Sequence, residues 1–157
     1  MAASPHDLQN HIGYTFHSPE ILKEAQTRRA FNNENQENEE FMDALAILGD
    51  AVLDTVAIFR LYEKGERDKG KLAQKKELAV KRKTTRAFAQ RHKLGQYIHW
   101  GKGEAADEVC KNSARALDTV TEALIGAVYL DAEKSGKNGM KEVRGMLEKL
   151  EFFDPVS

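Results

Sequence analysis

Two carboxylates at helical spacing are the first residues in this sequence that could do chemistry. Asp43 and Asp50 lie seven residues apart, which places them two turns apart on one face of a helix. The stretch around them is apolar at three- and four-residue intervals, so this helix is expected to be buried on more than one side. A carboxylate in apolar surroundings needs a counter-charge or a metal ion, and the pair is therefore a candidate ionic or metal site.

The helix that carries this pair is predicted to continue through Tyr62 and to end near residues 64–65. This helix has more apolar surface than the neighbouring helices of one chain would cover, which predicts that it also packs against a second copy of the chain. The apolar residues are Phe41, Leu45, Leu48 and Val52 on one face, our predicted dimer interface, and Ile47, Ala51 and Ile58 on the next.

Residues 64–93 carry twelve of the 24 Lys and Arg residues and only three acids, although the whole chain has a net charge of −1. Apolar positions within the segment predict a helix with its basic side chains facing solvent. Such a stripe could neutralise nucleic-acid phosphates and release their counterions, and the alternative is an ordinary solvated surface. The predicted binding residues are Lys71, Lys75, Lys76, Lys81, Arg82, Lys83 and Arg86.

Composition sets the remaining bounds. A chain of 157 residues with 41% apolar residues and three Pro suits one compact, largely helical domain. Its single cysteine, Cys110, excludes an intramolecular disulfide, and no apolar run is long enough to span a bilayer, so no membrane is expected as a partner. The first residues have neither a secretory nor a mitochondrial signal, which predicts a cytoplasmic or nuclear protein.

The other segments also favour an all-α fold, since none shows the period of a strand. Ser18, Pro19 and Glu20 predict the start of a helix that ends near Phe31, before a polar, acidic loop over residues 32–40. Further helices are predicted, namely a short one over 94–101 and longer ones over 112–132 and 140–152.

Two blocks resemble the ribonuclease III family. Residues 43–53, DALAILGDAVL, resemble its signature helix, ERLEFLGDxVL, and residues 121–131, TEALIGAVYLD, resemble its second conserved block. Smaller matches lie at residues 12–16, at residues 25–30, where AQTRRA stands against ALTHxS, and at residues 101–104, GKGE. The likeness spans about residues 8–133. It implies an all-α ribonuclease III-like endonuclease domain that pairs across a two-fold axis.

The resemblance implies one such domain over residues 1–157, with a core at about 8–152 and no double-stranded-RNA-binding domain in this chain. It also implies which acids would form the active site. In the first helix the family has a Glu, a Glu three residues on and an Asp four beyond, and these positions hold Asp43, Ala46 and Asp50 here.

In the second block the family has Asp-x-x-Glu, where this chain has Thr119 and Glu122, with Asp118 one residue earlier. A one-residue bulge would return Asp118 to the family position. The resemblance thus implies Asp43, Asp50 and Glu122 as catalytic residues. Asp50, Glu122 and Asp118 would be the ligands of Mg²⁺ or Mn²⁺.

Two further family positions differ. Lys69 stands where the family has a Glu near the cleft, and Arg28 and Ala30 replace the His and Ser of ALTHxS. Asp54, one turn beyond Asp50, is expected to project away from Ala46 and not to replace the missing acid.

Three functions remain open. The first is a protein of RNA processing or RNA silencing that binds RNA, most of all double-stranded RNA, with cleavage lost or weak because Ala46, Lys69 and Thr119 occupy acidic positions. The alternative is an active metal-dependent endoribonuclease with an altered preference for double- or single-stranded RNA. The third is a helical adaptor that uses only its dimer face. Separately, Asp50 and Glu122 could serve only as helix caps or polar contacts between helices.

Overall fold

Two long helices, α4 and α9, pack along each other at the centre of the fold. The structure, a computed structural model, describes residues 4–35 and 40–153, and within these ranges all regular structure is helical except one isolated bridge. The predicted all-α fold is confirmed. In chain order the helices are α1 Pro5–Ile12, α2 Pro19–Gln26, α3 Arg29–Asn35, α4 Met42–Glu63, α5 Lys69–Val80, α6 Arg82–Arg91, α7 Lys102–Ala105, α8 Glu108–Lys111, α9 Ala114–Lys134 and α10 Gly139–Lys149, with a 3-10 turn at Leu94–Tyr97.

Side-chain caps start most of the longer helices. In each case a side-chain oxygen at the N-cap accepts a hydrogen bond from a backbone N–H of the first turn, which satisfies a donor that the helix itself leaves free. The sequence predictions missed α1, although it has the same Ser-Pro start as α2. The capping residues are Ser4, Ser18, Asp68, Ser113 and Asn138.

The helix predicted from Ser18 to near Phe31 is in fact two helices. Between them Thr27 is extended and forms a bridge with His99, and the N–H of Arg28 donates to the carbonyl of His99 at 3.3 Å. These backbone groups bind another segment of the chain, so they cannot continue the hydrogen-bond ladder of α2.

The boundaries of the long helices lie close to the predictions, whereas the short helix predicted over 94–101 is only a 3-10 turn at Leu94–Tyr97. Helix α4 ends at Glu63 with Lys64 as its C-cap, and α9 and α10 match the predicted last two helices within a few residues. The predicted loop over residues 32–40 is only partly correct, because residues 32–35 belong to α3. Residues 36–39 lie outside the described part of the chain.

The buried carboxylate of Asp131, near the end of α9, holds the segment that precedes α2. It accepts hydrogen bonds from the Tyr14 hydroxyl at 2.5 Å and from the backbone N–H groups of His17 at 3.0 Å and Ser18 at 2.8 Å. These contacts satisfy a charge that is only 1% exposed. The last acid of the second sequence block is therefore structural.

The predicted dimer interface on α4 is wrong in part. Leu45 and Val52 are each only 3% exposed and belong to the monomer's own core, so they offer no surface to a second copy. Their face of α4 is the one that packs against neighbouring helices, and Phe41 and Leu48 stay partly exposed. The large apolar side chains that α4 does expose are Ile47, Ile58, Phe59 and Tyr62.

In the described residues, no helix is both long enough and apolar enough to cross a membrane.

Candidate active-site cleft

A cleft of about 1190 Å³ runs between α4, α9 and the junction of α5 with α6. It gathers the acids that the two sequence blocks suggested, because the crossing of α4 and α9 brings one face of each helix to the same opening. The acids that line it are Asp43, Asp50, Asp54, Glu104, Asp118 and Glu122, together with Glu77 of α5.

Asp50 and Glu122 come closest to a shared site. Burial raises the pKa of Glu122 to about 9, and a hydrogen bond with Asp50 and the negative charges of Asp118 and Asp50 act in the same direction. The positive charge of Arg82 opposes the rise. The Glu122 carboxyl therefore holds its proton at neutral pH in the absence of another cation.

Asp118 is tied to α6. One carboxylate oxygen accepts a hydrogen bond from the Thr85 hydroxyl at 2.6 Å, and the other lies 3.4 Å from Nε of Arg82. Helix α9 is unbroken here, so the one-residue bulge that was considered from the sequence is absent from it. Asp118 instead reaches the cleft because it lies one helical turn before Glu122.

Asp43 and Ala46 line the cleft near the start of α4. The Asp43 carboxylate pairs with the Arg29 guanidinium at 3.0 Å, and the Ala46 methyl group, only 7% exposed, lines the cleft between Asp43 and Asp50. Thr119 stands where the family's second block has an Asp, and its hydroxyl donates to the carbonyl of Arg115 at 3.0 Å. Neither Ala46 nor Thr119 supplies a carboxylate.

Asp54 also lines the cleft, and the expectation that it does not replace the acid missing at Ala46 stays a prediction. One of its oxygens lies 3.5 Å from the Lys76 ammonium, and the other, Oδ1, is buried without a hydrogen-bond partner. Burial raises the pKa of Asp54, and the Lys76 charge opposes that rise. The sequence signal was present, since Asp54 is one turn beyond Asp50 on the same helix.

Arg28 and Glu104 were not predicted as partners. The Arg28 guanidinium donates to Glu104 at 2.6 Å and 3.3 Å and stands 5.4 Å from the centre of the Trp100 ring. Burial alone would raise the pKa of Glu104, but the hydrogen bond and charge of Arg28 hold it below its usual value. The opposite charges in the two minor motifs were the available sequence signal.

Comparison with known proteins decides the family. A profile described as Ribonuclease-III-like matches residues 18–152. The chain belongs to the ribonuclease III-like family. The resemblance drawn from the two sequence blocks is thereby confirmed.

Curated relatives of this ribonuclease III-like chain include Ribonuclease 3 of Azotobacter vinelandii, 34% identical over 160 residues, which cover 98% of the chain and 66% of the relative. Ribonuclease 3 of Pseudomonas syringae pv. syringae is 36% identical over 133 residues, 84% of the chain and 55% of the relative. The chain thus spans between about half and two thirds of the length of these relatives.

Solved structures agree with this assignment. The nuclease domain of ribonuclease III from Campylobacter jejuni superposes with a TM-score of 0.80 at 26% identity, covering 94% of this chain and 95% of that one. A second structure of the same nuclease domain gives a TM-score of 0.78 at 25% identity. The first of these two structures is described as showing flexibility in a region involved in dimer formation of the Campylobacter domain.

Lys69 lies outside the cleft of this ribonuclease III-like domain. It is the exposed first residue of α5 and is not among the cleft-lining side chains, which corrects the expectation of a reversed charge beside the acids. The cations that do line the cleft are Arg28, Arg29, Lys76, Lys81, Arg82 and Arg115.

Several basic side chains of residues 64–93 are already paired with other groups of the chain. Four of its predicted binding residues have partners within the chain: Lys75 with Glu66, Lys76 with Asp54, Arg82 with Asp118, and Arg86 with the carbonyl of Asn112. The segment also breaks at Lys81, between α5 and α6. The exposed predicted residues without such a partner in the described chain are Lys71, Lys81 and Lys83.

The donor set limits what metal the cleft could hold. Among residues 4–35 and 40–153, no three His, Cys, Asp or Glu side chains converge as a metal-binding group. Burial nevertheless raises the pKa of Glu122 to about 9, and Oδ1 of Asp54 is buried without a hydrogen-bond partner. Asp50 and Glu122 offer carboxylate oxygens suited to one divalent cation with waters completing its shell, and Ala46 offers no oxygen atom to it.

Proposed function

We propose that this domain binds RNA, double-stranded RNA above all, and that its cleavage of that RNA is lost or weak. The observation that carries the proposal is the internal neutralisation of the cleft. Asp43 pairs with Arg29, Asp54 with Lys76 and Asp118 with Arg82. Carboxylates held by side-chain cations are poorer ligands for a divalent metal, because the metal must displace an existing partner.

A divalent ion bound at Asp50 and Glu122 would supply a Lewis acid that polarises a phosphoryl oxygen. The chain's own contribution is to hold these two carboxyl groups across the α4 and α9 crossing. The methyl group of Ala46 has no oxygen atom, so the chain supplies only these two carboxyl ligands. When catalytic groups act as a unit, removing one of them lowers the reaction rate by orders of magnitude, which supports weak cleavage.

RNA binding rests on the basic side chains around the cleft. Lys81 and Arg115 line it and are exposed, and Lys83 lies two residues beyond Lys81 at the start of α6. Phosphates bound here would release counterions, giving an affinity that falls with salt. This surface favours an RNA ligand over a purely helical adaptor.

A second candidate is an endoribonuclease that works with one metal ion and accepts double- or single-stranded RNA. The hydrogen bond between Asp50 and Glu122 favours it, and burial, followed by that hydrogen bond, raises the pKa of Glu122 to about 9. Mg²⁺ is commonly held by one or two carboxylates with waters completing its shell, so this pair suffices for one ion.

The proposal includes a single domain over residues 1–157 that acts in RNA processing or silencing as a two-fold homodimer. Support for the dimer comes from the apolar side chains that α4 exposes, Ile58, Phe59 and Tyr62 among them. Isolated exposed apolar residues are ordinary, but three on one helix form a patch suited to an interface.

The test is binding and cleavage of one labelled RNA duplex. Log affinity should fall linearly with log salt, and the double variant Lys81→Glu with Lys83→Glu should flatten the slope by about one unit for each phosphate that is no longer bound. Lys141→Glu, on an exposed part of α10, is the matched control and should leave the slope unchanged. Little product is expected in Mg²⁺ or Mn²⁺. Salt-independent binding would remove the RNA proposal, and rapid cleavage that requires Asp50 would favour the second candidate.

A further inference from the structure

A second cavity, about 520 Å³ in volume, lies between the end of α6, the 3-10 turn and α8. It has no part in the acidic cleft, but the two are neighbours. Trp100 lines this cavity, and Arg28, which lines the cleft, stands 5.4 Å from the centre of the Trp100 ring. A ligand that leaves the cleft along this side therefore meets the indole.

The indole is held in a defined orientation. Its N–H donates to the carbonyl of Gly95 at 2.9 Å, and its Cζ2 atom would lie 3.5 Å from a Cβ built at Gly95, an ordinary contact. The Arg28 guanidinium, 5.4 Å from the ring centre, is a further contact that restricts the orientation of the ring. A pre-oriented aromatic surface is what a stacked base requires, because stacking then costs little side-chain entropy.

Three polar side chains beside the indole have no partner among the described residues. Gln90, Gln96 and Lys93 are exposed and line the cavity, and their side chains make no hydrogen bond or ion pair with other described residues. Two other lining residues, Glu108 and Lys111, pair with each other at 3.0 Å and so bring little net charge. The free groups are thus two amides and one ammonium.

Amides and an ammonium beside an aromatic ring match one ligand class. An amide offers a donor and an acceptor to a base edge, an aromatic ring stacks on the base, and a lysine contacts the phosphate. A volume of about 520 Å³ lies in the range of small-ligand sites. A base within a duplex cannot enter such a cavity, so the nucleotide has to be unpaired.

We propose that this cavity binds the base of an unpaired ribonucleotide, stacked on Trp100, when the domain holds RNA. The inference rests on the proposed RNA-binding function and specifies a further part of the ligand. Helix α6 connects the two surfaces, because Lys83 and Gln90 lie two turns apart, about 10 Å, on one face of it. A short single-stranded extension of an RNA bound at Lys83 is therefore long enough to reach the cavity.

Trp100 is the only tryptophan, so tryptophan fluorescence reports on the indole that lines this cavity, and the blunt duplex controls for any effect through Arg28. Titration with a duplex that carries an unpaired tail should quench the fluorescence, and the blunt duplex of the same sequence should not. Affinity for the tailed duplex should exceed that for the blunt one by about fivefold or more, and Gln96→Ala with Lys93→Ala should abolish the difference. Lys83→Glu should weaken both duplexes alike.

Each result has one meaning. Equal affinity for the two duplexes with unchanged fluorescence overturns the cavity proposal, while salt-dependent binding of both leaves the proposed function intact. Failure of both duplexes to bind rejects the proposed function first. Titration with AMP separates the sources of a nucleotide: quenching by AMP without any preference for the tailed duplex assigns the cavity to a free nucleotide and overturns its assignment to RNA. Trp100→Phe, which keeps an aromatic ring, should retain most of the tail preference.

Discussion

Gly49 of α4 faces Gly126 of α9 where the two central helices cross. A Cβ atom at Gly49 would lie 1.7 Å from the carbonyl oxygen of Glu122, and one at Gly126 would lie 2.1 Å from the carbonyl oxygen of Leu45. Only hydrogen fits at either position. Asp50 follows Gly49 directly and Glu122 lies one turn before Gly126, so this crossing also brings the two carboxyl groups together.

Gly49→Ala should therefore destabilise the domain by about 3 kcal/mol or more, because its methyl group meets backbone atoms that cannot rotate away. The matched control is Gly145→Ala in α10, where a Cβ would meet nothing within 4 Å. That change should stabilise the helix by about 0.5–1 kcal/mol. Urea unfolding followed by circular dichroism measures both, and equal midpoints for the two variants would contradict the crossing described here.

Ala46→Glu should strengthen Mn²⁺ binding by at least about tenfold, because it returns a carboxylate between Asp43 and Asp50. Ala44→Glu, exposed on the same helix and outside the cleft, is the control and should have no such effect. Calorimetric titration with Mn²⁺ gives the affinities. An unchanged affinity in Ala46→Glu would show that the methyl group is not what limits the site.

Cleavage should not return with Ala46→Glu alone, because Arg29 still holds Asp43 and Thr119 still stands at an acidic family position. Lys69→Glu should add little, since Lys69 lies outside the cleft. A duplex cleavage assay in Mn²⁺ on the single and combined variants tests this. Full activity from the single change would place the whole defect at residue 46.

Ile58→Glu should shift the protein from dimer to monomer, because it puts a charge in the exposed apolar part of α4. Ile58 is 40% exposed, beside Phe59 at 45%. Leu78→Glu on α5 is a suitable control, since that side chain is 57% exposed and lies on another helix. Sedimentation velocity at micromolar concentration distinguishes the states. A wild-type monomer, or a dimer that survives the Ile58 change, would reject this interface.

Acid should weaken the contact between α1 and α6. Nε2 of His11 lies 3.1 Å from Nδ1 of His92. Burial, followed by the charges of His92 and Lys149, lowers the pKa of His11. The unfolded chain then binds a proton more readily than the folded one, so stability is complete above about pH 6.5 and falls as pH drops through that value.

His11→Gln should reduce the loss of stability between pH 7 and pH 5, whereas His6→Gln, exposed on the same helix, should retain it. Thermal unfolding at several pH values measures the difference. The prediction fails if both variants lose stability with pH as the wild-type protein does.

The sequence by itself determined the family and the long helices α4 and α9. The period around Asp43 and Asp50 predicts a buried helix, and α4 ends where that pattern ends. Ser18 and Pro19 start α2 through contacts within a few residues. Such local signals are readable because spacing along a helix specifies which side chains share a face.

Tertiary structure decided which neighbours those faces meet. The sequence places Leu45, Val52 and Ile58 on apolar faces of one helix, but only packing shows that the first two are core and the third is surface. The end of α2 at Thr27 likewise depends on a bridge to His99, seventy-two residues away.

The charge balance of the cleft was also undetermined by the sequence. Pairing of Lys76 with Asp54 and of Arg82 with Asp118 joins residues from separate helices. The strength of an ionic contact depends on the distance and burial of its partners, and both are set only when α4, α5, α6 and α9 pack together.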